Sequence, residues 1–273
     1  MLINDYKLIS RIGKGSYGEV WKAVNINKNK YVAIKLEKKN DKKTLKYETI
    51  VLRYLKELNC VPNIKYYGEV QKYNYLIMDL LDIQIDCYYN NKKFLVNDKN
   101  RLISNLGIEM LNCIENIHLN GIIHRDIKPD NFMMNSKNKL ILIDFGLSRQ
   151  YINKQGIHKI NKKHNNITGS LRYCSIFIHN YNEPSRRDDL ISMVYILLFL
   201  INDTLPWQGI KVNSRNEKEA IIYSKKKYFS QILKNNSSSI FKKIGDLLEY
   251  LENLSYLEQP NYEFIKFLIK SLY

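Results

Sequence analysis

The sequence is poor in cysteine, in acidic residues and in long apolar runs. Its four cysteines, Cys60, Cys87, Cys113 and Cys174, form no CxxC pair and have no histidine at metal-ligand spacing. Scattered thiols in a chain of 273 residues argue against a disulfide framework and for a reducing compartment. The longest apolar stretch, Leu190–Ile201, spans only 12 residues and is interrupted by Ser192. That is too short to cross a bilayer and suits a buried core helix. The first residues, MLINDYKLIS, lack the basic-then-apolar order of a signal peptide. There are no internal repeats, and the one low-complexity tract, Asn235–Ser239, reads as a loop. On these absences a soluble intracellular protein, cytoplasmic or nuclear, with no membrane span is expected.

A hydrophobic fraction of 45% and a charged fraction of 26% are those of an ordinary globular chain, long enough for one large core or two packed lobes. Lys and Arg number 43 against 27 Asp and Glu, a net charge of +16. Two readings of that surplus are open. One is attraction to nucleic acid, anionic membrane or acidic and phosphorylated protein. The other is compositional drift, since Lys, Asn, Ile and Tyr are all plentiful and the lysines form few long blocks. No nucleic-acid motif is present, so specific nucleic-acid binding is not expected.

Periodicity divides the chain. Residues 1–82 read as strands with one helix: Tyr6–Ile12, Glu19–Ile26 and Tyr31–Leu36 form a meander, Lys42–Leu58 is helical, and Ile64–Val70 and Tyr75–Leu80 are strands. Residues 83–273 are mainly helical, with Asp98 as a candidate cap of the first long helix and further helices after 187, 217, 237 and 261. An α+β chain of two lobes, 1–82 and 83–273, with a cleft between them is expected. Region 82–97 gives no clear reading.

The chemistry concentrates in HRDIKPDNFMMNSKNKLILIDFG, His124–Gly146. Asp126 and Asp144 lie 18 residues apart, with Lys128, Asn131 and the apolar run 140–143 between them. Phosphoryl transfer needs this set: a base at the acceptor hydroxyl (Asp126), a cation at the moving phosphate (Lys128), and oxygen ligands for magnesium (Asn131 and Asp144). Upstream, Gly13-Lys14-Gly15-Ser16-Tyr17-Gly18 followed by Val20 is a G-x-G-x-x-G loop. Alone it also suits a dinucleotide turn, but strand alternation continues after it where that fold needs a helix. A strand–glycine–strand hairpin lying over ATP phosphates fits better, and assigns Ile12, Gly13, Lys14, Gly15, Ser16, Tyr17, Gly18 and Val20 to the nucleotide. In Val32-Ala33-Ile34-Lys35, Ala33 would face adenine and Lys35 the α- and β-phosphates. Glu48, 13 residues on, is preferred to Glu57 as its ion-pair partner, since Glu57 sits at the helix end.

Further segments narrow the resemblance. Thr168–Ile176 (TGSLRYCSI), Ser185–Leu190 (SRRDDL), Leu205–Gly209 (LPWQG), HRDIKPDNFMM and DFGLSR, with a Tyr250…Pro260-Asn261-Tyr262 segment near the end, resemble the casein kinase 1 family of Ser/Thr protein kinases over nearly the whole chain. The resemblance implies a bilobal kinase fold, ATP with Mg2+, and serine or threonine acceptors. It further implies Met78 as gatekeeper, Asp79–Leu81 as the adenine-binding hinge, and Met133 beneath the adenine. The family's preference for acidic or already phosphorylated protein substrates would fall on Arg125, Arg149, Arg172, Gln208 and Lys218. Arg186 and Arg187 are expected to pair with Asp188 or Asp189. The chain departs from the family at Asp79, Asp82, Asn165 and Phe177. The resemblance also implies activity without prior phosphorylation. A vaccinia-related kinase shares the SRR and LPW motifs, and a basic pseudokinase scaffold is the non-enzymatic alternative. The sequence stops soon after its last expected helix, so regulation is expected to come from the domain or from partners; a monomer is expected, and the composition is compatible with a large DNA virus or an AT-rich protist.

Overall fold

The structure, a computed structural model, describes residues 2–15, 18–39, 44–93 and 98–273. In chain order it runs β1 (Leu2–Ile3), β2 (Tyr6–Gly15), β3 (Gly18–Asn25), β4 (Lys30–Lys38), α1 (Thr44–Tyr54), β5 (Ile64–Val70), β6 (Tyr73–Asp79) and β7 (Ile83–Gln84). There follow α2 (Ile85–Lys92), α3 (Lys99–Leu119), β8 (Ile122–Ile123), β9 (Phe132–Met134), β10 (Leu140–Leu142) and β11 (Arg149–Gln150). The chain closes with α4 (Ile176–His179), α5 (Arg186–Asn202), α6 (Arg215–Lys226), α7 (Phe229–Lys234), α8 (Ser239–Asn253) and α9 (Tyr262–Lys270). Two compact units result: residues 1–84 with 132–148, and residues 85–131 with 149–273.

The first unit is an antiparallel sheet in the order β1-β2-β3-β4-β6-β5. Alternation buries Ala23, Val32, Ile34, Leu36, Tyr75 and Ile77 on one face, with Trp21, Tyr6 and Leu8 packed against them. α1 contributes Leu45, Val51 and Leu52 to the interior. Its first amides find an acceptor in the sheet: buried Glu37 of β4 takes N–H groups from Thr44 and Leu45, both at 3.0 Å. A carboxylate there satisfies open amides and complements the positive end of the helix. The helix expected over Lys42–Leu58 is therefore shorter, and residues 40–43 lie outside those described.

In the second unit α5 is buried along almost its whole length and packs on α3 and α8. Asp98 caps α3 through the Arg101 N–H at 2.9 Å, and Asp188 accepts the Ser185 N–H at 2.7 Å at the start of α5. The Leu190–Ile201 run thus serves as a core helix, and no helix among the described residues is long and apolar enough to cross a membrane. Arg186 differs from expectation, and Arg187 meets it only at the edge of ion-pair distance. Arg186 donates to the Leu257 carbonyl at 2.9 Å and lies over the Tyr151 ring. Arg187 reaches the Leu254 carbonyl and lies over the Phe177 ring, with Asp188 only at the 4.0 Å limit of an ion pair. Phe177, where the resembled family has asparagine, supplies a π face to that guanidinium.

Candidate active site

Each unit carries one set of the phosphotransfer residues. In the first, Lys35 of β4 is buried, with Nζ 2.7 Å from Glu48 Oε2 and 2.8 Å from Asp144 Oδ1. Glu48 is on the inner face of α1, while Glu57 is exposed beside Lys56. Burial opposes the lysine charge, but the attraction of Glu48 and Asp144 outweighs it and holds the ammonium above its ordinary range. Burial pushes Glu48 upward, opposed by the Lys35 ammonium. Asp144 is the more open carboxylate, with 27% of its side chain exposed against 3% for Glu48. Its backbone is left-handed, φ 64°, ahead of the buried Phe145, whose carbonyl is held by Ser148 Oγ at 2.7 Å.

The glycine hairpin lies beside this set. Gly13 pairs with Val20, Gly15 with Gly18, and Val20 in turn with Lys35. Gly18 has φ 128°, and a Cβ there would collide with the Leu36 carbonyl oxygen, so the turn requires glycine. Ile12 and Lys14 are exposed on β2, and Ser16 and Tyr17 lie outside the described residues. Ala33 pairs with Met78 and Val32 with Asp79 across β4 and β6. The Asp79 carboxylate is engaged by Asn63 Nδ2 at 2.9 Å and Lys65 Nζ at 3.0 Å. Leu81 is half-buried, and Met133 of β9 pairs with Ile141 and Gln84.

In the second unit Asp126 is buried and fully engaged. Lys128 Nζ donates to its Oδ2 at 2.7 Å, while the Ser170 N–H and Oγ donate to its Oδ1 at 2.8 and 2.7 Å. Asn131 Nδ2 donates to the Asp126 carbonyl at 2.8 Å, so Oδ1 is what Asn131 can offer a cation. Asp189 braces the loop from below: it accepts the His124 and Arg125 N–H groups at 2.7 and 2.8 Å and faces His118 Nε2 at 3.0 Å. Those bonds fix Arg125 at φ 69°. Burial opposes ionisation of Asp189, yet the His118 hydrogen bond and the loop amides hold it below the usual carboxylate range. Burial holds His118 below the ordinary imidazole range, and its Nδ1 lies 2.8 Å from the Tyr262 hydroxyl. Gly169 has φ 81° and lies so near the Arg125 carbonyl that a Cβ would collide with it, which lets Ser170 reach Asp126.

The five anion positions do not form one cluster. Arg125 and Arg149 gather on an internal carboxylate, buried Glu183, at 3.5 and 3.1 Å, with His164 Nε2 at 2.6 Å. Arg172 and Lys218 are exposed, and Gln208 is half-buried. Sequence reasoning did not single out Ser170, Glu183 or the bracing role of Asp189, although each lies in or beside TGSLRY or SRRDDL.

No group of three or more His, Cys, Asp or Glu able to hold a metal by itself exists among the described residues. Asp144 offers a carboxylate oxygen in the first unit and Asn131 an amide oxygen in the second, donor types that suit a hard cation. A buried lysine tied to two carboxylates in one unit, and an aspartate with its lysine and asparagine in the other, are residue types that phosphoryl transfer uses. Residues 6–271 match the family model described as the protein kinase domain, and the chain belongs to that family. It is a kinase, with the ATP and divalent metal that family uses.

Proposed function

We propose that the enzyme is a serine/threonine protein kinase of casein kinase 1 type, working with Mg2+ on acidic or phosphorylated protein substrates. The observation that carries the acceptor class is Lys128, two residues after Asp126 and 2.7 Å from it. That lysine sits beside the base rather than farther along the loop, an arrangement of Ser/Thr kinases. The residues divide the work. Asp126, held by Ser170 and Lys128, orients the acceptor hydroxyl and takes its proton. Lys128 offsets charge on the transferred group, and Lys35, fixed by Glu48, meets the nucleotide phosphates. Bound Mg2+ would neutralise the phosphates, with Asp144 and Asn131 as its protein ligands.

The exposed cations Arg172 and Lys218 are the better candidates for acidic substrate groups, since Arg125 and Arg149 already share Glu183. That same carboxylate supports activity without prior phosphorylation: it supplies the counter-charge that an added phosphate would otherwise bring to Arg125. The test is phosphoamino-acid analysis of an acidic protein labelled by enzyme bearing no phosphate, beside a peptide pair with and without a phosphoserine near the acceptor. Label on serine or threonine, stronger on acidic or phosphorylated peptides, is expected. Label on tyrosine, or activity only after treatment with another kinase, contradicts the proposal.

A further inference from the structure

Lys226, the last residue of α6, is fully buried, yet its neighbours include no carboxylate at ion-pair distance among the described residues. Its Nζ donates to the carbonyls of Leu171 at 3.0 Å and Cys174 at 2.6 Å, and lies 3.4 Å from His179 Nε2. The rings of Tyr195 and Trp207 stand 5.0 and 5.2 Å away. A buried ammonium stabilised only by dipoles and π faces is expensive, and an apolar side chain of similar length would fill the space at less cost. What the charge does is hold one short segment. Trp207 completes the hold by donating Nε1–H to the Arg172 carbonyl at 2.7 Å. Three of the four carbonyls in Leu171–Cys174 are therefore taken by two side chains from outside the segment. Immediately before it, Ser170 donates twice to Asp126.

We propose that Lys226 and Trp207 are positioning residues for substrate recognition: they clamp Leu171–Cys174 and thereby set exposed Arg172, and Ser170 with it, relative to the catalytic Asp126. Both act through the segment they hold, not on the acceptor hydroxyl itself. The clamp gives buried Trp207 of LPWQG a task beyond core packing. It also makes substrate recognition sensitive to the charge of Lys226, which burial brings down to about 8. Facing that ammonium are Cys174 of the segment, His179 of α4, which burial and then Lys226 bring down to about 3, and Tyr195 of α5. Asp188 of α5 and Glu219 of α6 act on Cys174 at longer range. The charge is complete well below pH 8 and lost above it, so the clamp weakens on the alkaline side.

The inference rests on the substrate class proposed above, and the test separates the two. Steady-state kinetics are measured with a hydroxyl peptide carrying acidic residues, for wild type, Lys226→Met and Trp207→Phe, from pH 6.5 to 9.5. Lys226→Met is expected to raise peptide KM and lower kcat by about tenfold together, leaving the KM for ATP within about twofold. Trp207→Phe, which keeps the ring and loses the N–H, shifts peptide KM the same way by less. Wild-type kcat/KM falls above about pH 8, and this limb is absent from Lys226→Met. Unchanged peptide KM in both variants, or an alkaline limb that survives in Lys226→Met, overturns the clamp. Should Lys226→Met not fold, Trp207→Phe with unaltered peptide KM overturns it alone. A wild type that phosphorylates no acidic peptide removes the substrate reading, whereas an active wild type matched by its variants removes only the clamp.

Discussion

Two lysines lie buried among the described residues, and they keep their charge by opposite means. Lys35 sits between two carboxylates and is held more firmly cationic than a lysine in water. Lys226 sits among carbonyls and rings, and burial leaves it near the point of losing its proton. The first environment makes a permanent cation, the right partner for phosphate at any physiological pH. The second makes a structural tie whose strength varies with pH. Counter-charge, not burial, decides which of the two a buried lysine becomes.

The comparison can be broken from either side. Lys35→Met leaves Glu48 and Asp144 facing each other without a cation and removes the group meant for the phosphates. kcat/KM for phosphate transfer should fall by about a thousandfold or more, read by single-substrate kinetics. Glu48→Gln keeps Lys35 paired with Asp144 but loosens its position. The expected fall is about a hundredfold, and a variant within a few-fold of wild type would show that Asp144 alone suffices. Glu183→Gln tests the same principle with signs reversed, because it strips Arg125, Arg149 and His164 of their shared carboxylate. Thermal or denaturant unfolding should show a loss of about 2 kcal/mol.

The smallest effect concerns Glu252, a half-buried carboxyl with Ser230 as its hydrogen-bond partner, raised by burial to about 6. Between its ordinary value and about 6 the folded state binds more protons than the unfolded one, so stability should fall as pH rises through that window. Glu252→Gln removes that slope and melts no lower than wild type above pH 6, as a pH series of melting curves will show.

Much of this was legible in local pattern. Alternation located β2 to β6, and the spacing from Lys35 to Glu48 followed from a strand leading into a helix. The His124–Gly146 stretch carried the candidate base, cation and metal ligands together because one short loop holds most of them. What escaped was long-range. Nothing in the run Lys225-Lys226-Lys227 says that the middle lysine is buried; only the placement of Ile222 one turn earlier, the other buried residue of α6, explains it. Glu183 reads as one more surface acid until the fold brings Arg125, Arg149 and His164 to it. The helix α2 was missed because its segment is polar and weakly amphipathic, burying only Ile85 and Tyr89. Arg186 and Arg187 were expected to pair with neighbouring aspartates; Arg187 reaches Asp188 only at 4.0 Å and Arg186 turns to the Leu257 carbonyl, because those aspartates also serve Ser175, Ser185 and the His124 and Arg125 amides.

That Lys35, Asp126 and Asp144 serve a working kinase underlies every role proposed above. It is tested most directly by transfer of labelled γ-phosphate to an acidic protein by wild type and by Asp144→Asn, with Mg2+ and Mn2+ each supplied. The account predicts label from the wild type and a loss of about a hundredfold or more in the variant. Equal label from both, or none from either under any metal, would contradict it.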